Sequence, residues 1–175
     1  AGGDGRTAEL CRADLRRARF LKTNMREAQL TAADGDVPDF TDAALELVSA
    51  VEANFRNATF DRTRMRKMEL RGAALLDAKG KDVSFAESRL IEVDLRTAKF
   101  ESANFQNADL SKAILSRANL KPYSFVAARF AGTDCSEVSA EGVNFSRADL
   151  SLGNFRLANL KGANLTGVRG FDTDL

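Results

Sequence analysis

The sequence predicts an all-β fold, a four-sided parallel β-helix in which the chain winds through about nine coils. Three observations lead to this prediction. A large apolar residue returns at every fifth position, charged residues avoid two of the five positions in each repeat, and charges alternate in sign at a spacing of twenty residues. The first two observations identify the side chains that point inward, and the third gives the length of one coil.

The large apolar residues fall at positions divisible by five. Of the 35 such positions, 28 carry Leu, Phe or Met, and eleven of the twelve Phe residues are among them. A small residue, usually Ala, stands two positions earlier. A period of five fits neither an α-helix nor a β-strand. The pattern therefore indicates a repeat architecture in which each repeat adds one large and one small side chain to the core.

The charged residues support this assignment independently. None of the 51 charged residues occupies either of the two inward positions. An unpaired charge is costly to bury, which explains a complete exclusion. In seven repeats Gly, Ala or Cys replaces the large residue, and we expect thinner or distorted coils there: Gly5, Gly35, Ala50, Gly80, Cys135, Ala140 and Gly170.

The outward charges show a second period, of twenty residues. Of the charged pairs at this spacing, 21 have opposite signs and three have like signs, namely Arg6/Arg26, Asp14/Asp34 and Lys79/Lys99. Opposite charges side by side stabilise neighbouring strands. We therefore expect residues twenty apart to be neighbours in space, and we call such a set a column. At ~4.8 Å per coil, residues 1–175 would form a single rod-shaped domain about 42 Å long.

The repeats resemble those of the pentapeptide repeat family along essentially the whole chain. Several read Ala, then Asp or Asn, then Leu or Phe, as in Ala13-Asp14-Leu15, Ala53-Asn54-Phe55 and Ala103-Asn104-Phe105. The motif is specific because it recurs in phase. The resemblance implies a right-handed quadrilateral β-helix, and it implies a non-catalytic protein, since most members of the family have no enzymatic activity.

Three segments depart from the pattern. Residues 34–52 contain six acidic residues and no basic ones, and two interpretations stay open there: an irregular acidic coil in register, or a short helical insertion beginning at Thr41. Near Pro122, Tyr123 replaces the usual small residue, which predicts a local bulge. The polar residues 1–9 are candidates for an N-terminal cap.

The residues offer little for catalysis or metal binding, so we expect no enzymatic activity, no cofactor and no metal site. The chain has no His, the commonest general base and metal ligand. Its two cysteines, Cys11 and Cys135, lie about six coils apart, too far for a disulfide. No segment is apolar enough to span a membrane.

Basic residues cluster in sequence, yet we expect no direct nucleic-acid binding. The winding spreads the cluster over all faces, and most members have an acidic residue one coil away; the cluster comprises Arg56, Arg62, Arg64, Arg66, Lys67 and Arg71. Arg64 and Arg71 lack such a partner at the twenty-residue spacing.

The best-known function in the family is binding to type II topoisomerases such as gyrase, with quinolone resistance as the result. Those proteins resemble a DNA duplex in size and in their acidic surface. DNA mimicry of this kind is the alternative function here. Against it, the net charge is +1 and the acids are matched by bases, so the chain would not present the field of DNA.

The favoured function is a rigid, non-catalytic scaffold that binds protein partners, as an accessory subunit of a larger complex. Among the outward apolar residues, the twenty-residue period places four on one face: Val37, Leu76, Ile114 and Leu157. They form the candidate partner-binding surface. Neighbouring members lie about two coils, or roughly 10 Å, apart.

The two ends of the chain lead to further expectations. A coil stack exposes unpaired backbone at its ends, and the residues after Arg169 contain no obvious cap, which predicts end-to-end association between copies. The start at Ala1 is compatible with removal of a targeting peptide. We therefore favour the thylakoid lumen over the bacterial cytoplasm as the location, since the family occurs in both.

Overall fold

The computed structural model describes residues 2–121 and 123–170. Its backbone bridges are parallel, and each joins residues twenty positions apart, from Asp4 with Asn24 to Asp149 with Arg169. The structure is therefore a parallel β-helix solenoid with twenty residues in each coil. The alternating charge columns predicted this spacing.

Three sets of backbone hydrogen bonds join each coil to the next, one of them from Arg12 and its equivalents, since Arg12 N donates to Thr31 O at 2.9 Å. The N–H of a large inward residue donates to a carbonyl of the following coil, as Leu10 N does to Gln29 O at 2.8 Å. The carbonyl of a small inward residue accepts from that coil, as Ala8 O does from Gln29 N at 2.9 Å. These bonds satisfy the inter-coil backbone groups without long strands.

A tight turn follows each large inward residue. After Leu10, the N–H of Ala13 donates to the Leu10 carbonyl at 3.1 Å, and Arg12 inside the turn has a φ of 56°. This combination is that of a type II turn, whose third residue needs a positive φ. Such a φ favours Gly, yet the position mostly holds other residues, including the exposed Val37 and Leu157.

Regular strands are confined to the middle of the chain and are two residues long. They are β1 (Lys79–Gly80), β2 (Val83–Ser84), β3 (Lys99–Phe100), β4 (Ala103–Asn104) and β5 (Tyr123–Ser124). All pairing is parallel, with β1 against β3 in one sheet and β4 between β2 and β5 in another. Some of the isolated bridges continue these two ladders, and the others form two further ladders, which begin with Glu9 against Gln29 and with Asp14 against Asp34.

The turn between β1 and β2 lacks the internal hydrogen bond seen after Leu10. Val83 N–H donates to the Ser102 carbonyl of the next coil at 3.1 Å, and Asp82 N–H donates to Ser102 Oγ at 2.9 Å. Gly80 lies so close to its neighbours that a Cβ would be 2.8 Å from Val83 Cγ2 and 2.9 Å from the Phe60 carbonyl carbon. Gly at this inward position therefore coincides with the expected local distortion.

The core consists of columns of stacked rings. Phe105 lies between Phe85 and Phe125, with ring centroids 4.9 Å and 5.1 Å away and nearly parallel planes. A second column stacks Phe20, Phe40 and Phe60 at 5.0 Å and 5.4 Å. Among the described residues no charged side chain is buried, which confirms the inward and outward assignment.

Three hydroxyl residues take the place of small apolar residues inside the coil. Thr63 and Thr133 donate to the carbonyls of Phe40 and Leu110 at 2.8 Å and 2.7 Å. Ser88 accepts from the N–H of Met68 at 3.0 Å and also donates to a carbonyl oxygen. Each buried hydroxyl therefore has a backbone partner, which removes the penalty of burying it.

Residues 34–52 continue the coil rather than forming a helix. Asp34, Asp39, Ala44 and Ser49 each bridge to the residue twenty positions later. The helical alternative fails because the backbone groups that a helix would pair internally are already bonded to adjacent coils. Gly35 serves this register, since a Cβ there would lie 2.9 Å from the Asn54 carbonyl oxygen.

The two other departures also remain within the coil. Asp4 and Glu9 bridge to the second coil, so residues 4–9 belong to the first coil instead of covering it as a cap. Tyr123 is 8% exposed and packs against Phe100 and Phe105, with centroids 6.2 Å and 5.6 Å away. The rest of the expected bulge and of the C-terminal end, Pro122 and residues 171–175, lies outside the described residues.

Candidate interaction surface

The four residues of the candidate partner-binding surface differ in exposure. Leu157 is 83% exposed, Val37 46% and Ile114 37%, whereas Leu76 is half-buried. Val37 and Leu157 stand at the positive-φ position of their turns, and Ile114 lies on a ladder between Asp94 and Asp134.

The structure does not bring these four residues into contact. Asn57, whose N–H donates to the Leu76 carbonyl at 3.0 Å, lies in the coil between Val37 and Leu76. Leu76 and Ile114, and then Ile114 and Leu157, are likewise separated by one intervening coil. The surface is therefore a row of separate apolar side chains with polar residues between them.

Other exposed apolar residues stand outside this row. Leu47 is 52% exposed and Leu152 61% exposed, and both occupy the positive-φ position of a turn. Leu47 was identifiable in the sequence as outward and apolar. The residues around Leu47 could not be identified in the same way, because they come from several columns.

The surface charges pair mainly along the predicted columns. Arg62 Nε lies 2.6 Å from Asp42 Oδ1, and Lys121 Nζ lies 2.9 Å from Glu141 Oε2, each pair being twenty residues apart. The exposed ion pairs contribute little individually. Together they neutralise much of the charge on the surface.

Two arginines pair differently from the expectation. Arg64, expected to lack a partner, places Nε 2.9 Å from Glu46 Oε1, eighteen residues earlier. Arg66, expected opposite Glu46, instead places Nη2 2.6 Å from Glu87 Oε1. Long arginine side chains reach across to adjacent columns, so the twenty-residue rule alone misses these contacts.

Glu46 consequently holds two guanidinium groups. Its Oε1 is 3.1 Å from Arg26 Nη2 as well as 2.9 Å from Arg64 Nε. Partial burial acts to raise the pKa of Glu46, but the hydrogen bonds from Arg26 and Arg64 outweigh it and hold the pKa below its ordinary value. Glu46 is therefore a carboxylate that stays charged at neutral pH.

The Asp14 carboxylate is held in its charged form by Arg16. Arg16 Nε donates to Asp14 Oδ1 at 2.8 Å, and the Arg16 backbone N–H donates to the same atom at 3.1 Å. These hydrogen bonds lower the pKa of Asp14 to about 2.

The two cysteines are free and differ in exposure. Cys11 is exposed and Cys135 is buried in the core, where burial raises the pKa of its thiol. Within residues 2–121 and 123–170, no group of His, Cys, Asp or Glu side chains is arranged to hold a metal ion. In the same part of the chain, no helix has the length and hydropathy needed to cross a membrane.

Comparison with solved structures finds several matching proteins. QnrB1, a plasmid-mediated fluoroquinolone resistance protein, is 17% identical, with 97% of this chain and 92% of QnrB1 covered and a TM-score of 0.56. At this identity the likeness indicates a common fold. A search of curated protein sequences finds no match.

Two further solved structures come from photosynthetic organisms. HetL, a pentapeptide repeat protein involved in heterocyst differentiation regulation in the cyanobacterium Nostoc sp. strain PCC 7120, is 29% identical, over 99% of this chain and 83% of HetL, with a TM-score of 0.48. A pentapeptide repeat protein from the thylakoid lumen of Arabidopsis thaliana is 20% identical, over 66% of this chain and 67% of its own, with a TM-score of 0.33.

The family assignment follows from the repeats themselves. Eight copies of the Pentapeptide repeats family model match residues 8–34, 39–75, 81–121 and 125–168. These matches cover most of the sequence and coincide with the coil register of the structure. The chain therefore belongs to the pentapeptide repeat family.

Proposed function

We propose that this chain is a non-catalytic, rigid scaffold that binds protein partners as an accessory subunit of a larger complex. In this proposal residues 1–175 form one right-handed, four-sided domain of about nine coils. The observation that carries the proposal is the row of outward apolar side chains, with Leu157 83% exposed, on a backbone bonded coil to coil.

The ladder supports the rigidity that a scaffold needs. Equivalent backbone groups form the hydrogen bonds between neighbouring coils along the chain. For example, Ala50 N–H donates to the Glu69 carbonyl at 2.8 Å, and Glu69 N–H donates to the Val48 carbonyl at 2.9 Å. Surface side chains are therefore held at fixed intervals. A partner that recognises them loses little conformational entropy from this side of the interface.

The candidate partner-binding surface consists of Val37, Leu76, Ile114 and Leu157. Exposed apolar groups in a protein whose charges are largely paired are the groups that gain most from being covered. Because they stand about two coils apart, we propose a partner that presents apolar residues at a repeat of roughly 10 Å.

Affinity purification with partner identification tests the proposal. The tagged chain is compared with a double variant, Ile114→Thr with Leu157→Asn, chosen so that Thr suits the ladder position and Asn tolerates a positive φ. We expect the variant to keep its thermal unfolding midpoint and to lose the captured partner.

Leu152→Asn is the matched control. Leu152 has a φ of 59° against 58° for Leu157 and is also exposed, but it stands one repeat earlier, outside the row. Capture that survives the double variant, or that is lost equally in the control, would remove the row from the proposal.

The alternative function, DNA mimicry toward a type II topoisomerase, has weaker support. Its acids would have to present a continuous negative surface, whereas Asp42, Glu69 and Glu141 lie within 3 Å of Arg62, Arg89 and Lys121 respectively. Inhibition of gyrase supercoiling by the purified chain at stoichiometric concentration would restore this alternative.

A further inference from the structure

A groove on a different part of the surface combines positive charge with one exposed apolar residue. It has a volume of about 640 Å³, and Leu47 lies within its lining. Five cationic side chains line it: Arg6, Arg26, Arg64, Arg66 and Lys67. We call it the basic groove. Its columns are half a coil away from the row that contains Val37 and Leu157.

The carboxylates near the basic groove are too few to neutralise these cations. Glu46 is shared by Arg26 and Arg64, at 3.1 Å and 2.9 Å. Glu87 is shared in the same way, by Arg66 at 2.6 Å and Lys67 at 3.5 Å. Two carboxylates thus serve four cations.

Arg6 adds to this excess of positive charge. It stands one coil from Arg26, in one of the like-sign pairs of the sequence. Within the described part of the chain, no carboxylate lies at ion-pair distance from its guanidinium. Glu27 is the one other acidic residue of the lining, so the groove and its paired carboxylates keep more cations than anions.

We propose that the basic groove binds an extended acidic segment of a protein partner, with an apolar residue of that segment against Leu47. The proposal rests on the proposed function, because it presupposes a protein partner, but it concerns a separate surface. It assigns the chemistry that the partner must carry: carboxylates spaced along an extended strand, and one apolar side chain among them.

The dimensions suit such a segment. Arg6, Arg26 and Arg66 belong to one column and span three coil steps, about 14 Å at ~4.8 Å per step. An extended peptide covers that distance with about four residues at 3.3 Å each. Arginine is well suited to bind carboxylates because its planar fork can donate two hydrogen bonds at once.

The lining favours a peptide over a nucleic acid. Glu46 and Glu27 sit among the cations and would repel successive phosphates of a continuous backbone. A peptide can place neutral or apolar residues opposite these two carboxylates. Leu47, 52% exposed, offers an apolar contact that phosphates cannot use.

Fluorescence anisotropy with a synthetic probe tests the proposal on the full chain. The probe is a short labelled peptide of glutamates spaced by serines, with one leucine in place of a glutamate so that it shares their face of an extended strand. Two comparison probes are used: the same peptide with glutamines in place of glutamates, and a labelled single-stranded oligonucleotide. We expect binding of the glutamate peptide alone, weakening as salt is raised because exposed charges are screened.

Paired variants locate the site. Arg6→Gln with Arg64→Gln should weaken binding of the glutamate peptide about tenfold or more, since hydrogen bonds to charged groups are lost. Arg96→Gln with Arg117→Gln is the matched control, because it removes the same charge from two exposed arginines in ion pairs with Asp94 and Glu137. We expect the control to change the affinity by less than about twofold.

Leu47→Asn separates the apolar contact from the charges, since Asn tolerates the positive φ of this turn. It should weaken the binding of the glutamate–leucine peptide while leaving its salt dependence unchanged. Tighter binding of the oligonucleotide than of the peptide, no binding of the peptide, or equal losses in both double variants would each overturn the proposal. The affinity for the peptide tests the basic groove, whereas partner capture by the Ile114→Thr and Leu157→Asn variant tests the proposed function, so the two proposals can fail separately.

Discussion

The hydroxyl of Thr133 donates a hydrogen bond to the carbonyl oxygen of Leu110 at 2.7 Å, although the residues are 23 positions apart. The same carbonyl accepts the Ala113 N–H of its turn at 2.9 Å. A side chain of one coil therefore fastens the turn of the coil before it.

Thr133→Val should therefore destabilise the fold by about 1 kcal/mol, because it removes this hydrogen bond while keeping the shape of the side chain. The turn bond to Leu110 remains, so the carbonyl is not left unsatisfied. Urea unfolding measures the change. Thr133→Ser retains the hydroxyl and serves as the control; a valine variant as stable as the original chain would contradict the assigned contribution.

The ring column predicts a graded response to truncation. Phe105→Ala should cost about 3–5 kcal/mol, because the cavity lies between two stacked rings and the surrounding coils cannot collapse into it. Phe20, partly buried and stacked on Phe40 alone, is the matched site in the same kind of column.

Phe20→Ala should cost clearly less than Phe105→Ala. Thermal and denaturant unfolding of both variants gives the comparison. Equal losses at the two positions would show that the ring column does not govern the stability of the coils.

The turn at Val37 should become more stable when its residue is changed. Val37 is β-branched, has a φ of 62° and is 46% exposed. The free-energy cost of its backbone strain therefore exceeds the stabilisation from burying part of its side chain. Val37→Asn should raise the free energy of unfolding by about 1 kcal/mol. Val126 is the control, because it stands one position before the positive-φ residue of its own turn, Ala127. Val126→Asn should therefore not raise the free energy of unfolding. A gain in stability from both substitutions would show that relief of backbone strain is not the cause.

The Asp14 carboxylate should respond to the loss of Arg16. Its pKa is about 2 because Arg16 donates to it, so Arg16→Gln should raise the pKa toward the ordinary value of 3.8. The stability that this pair contributes is present above that ordinary value and is lost as the pH falls through about 2. Titration of the Asp14 carboxyl carbon by NMR measures the shift, with Arg17→Gln as the charge-matched control; a pKa unchanged by Arg16→Gln would contradict the assignment.

Much of the architecture could be predicted because burial and charge obey separate periods. Leu10, Phe105 and their equivalents are inward since no charge shares their positions, and the coil length follows from the alternation along columns. The contacts of Arg64 could not be predicted, because a long side chain can choose among carboxylates in several columns. Likewise, the unusual turn after Gly80 depends on the Ser102 hydroxyl and carbonyl of the next coil, which no repeat pattern records.

The candidate site was less predictable than the fold. The row from Val37 to Leu157 was identified by spacing, but exposure depends on the lengths of neighbouring side chains, and Leu76 is half-buried as a result. The basic groove escaped detection because its cations come from three columns, and their excess appears only when each carboxylate is assigned to the cations that it contacts.

The twenty-residue register also restricts how such a chain can change in length. Deleting one repeat of five residues would keep every large side chain inward, yet it would move each later residue, Lys121 or Arg129 for example, into a different column. Ion pairs across the deletion would be broken although the core survived. Gain or loss of twenty residues would keep every residue in its column but would bring like charges together, because the sign alternates from coil to coil, as in Asp61, Lys81 and Glu101. Only a change of forty residues preserves both patterns, so the unit of length that this register allows is a pair of coils, even though the motif visible in the sequence is an eighth of it.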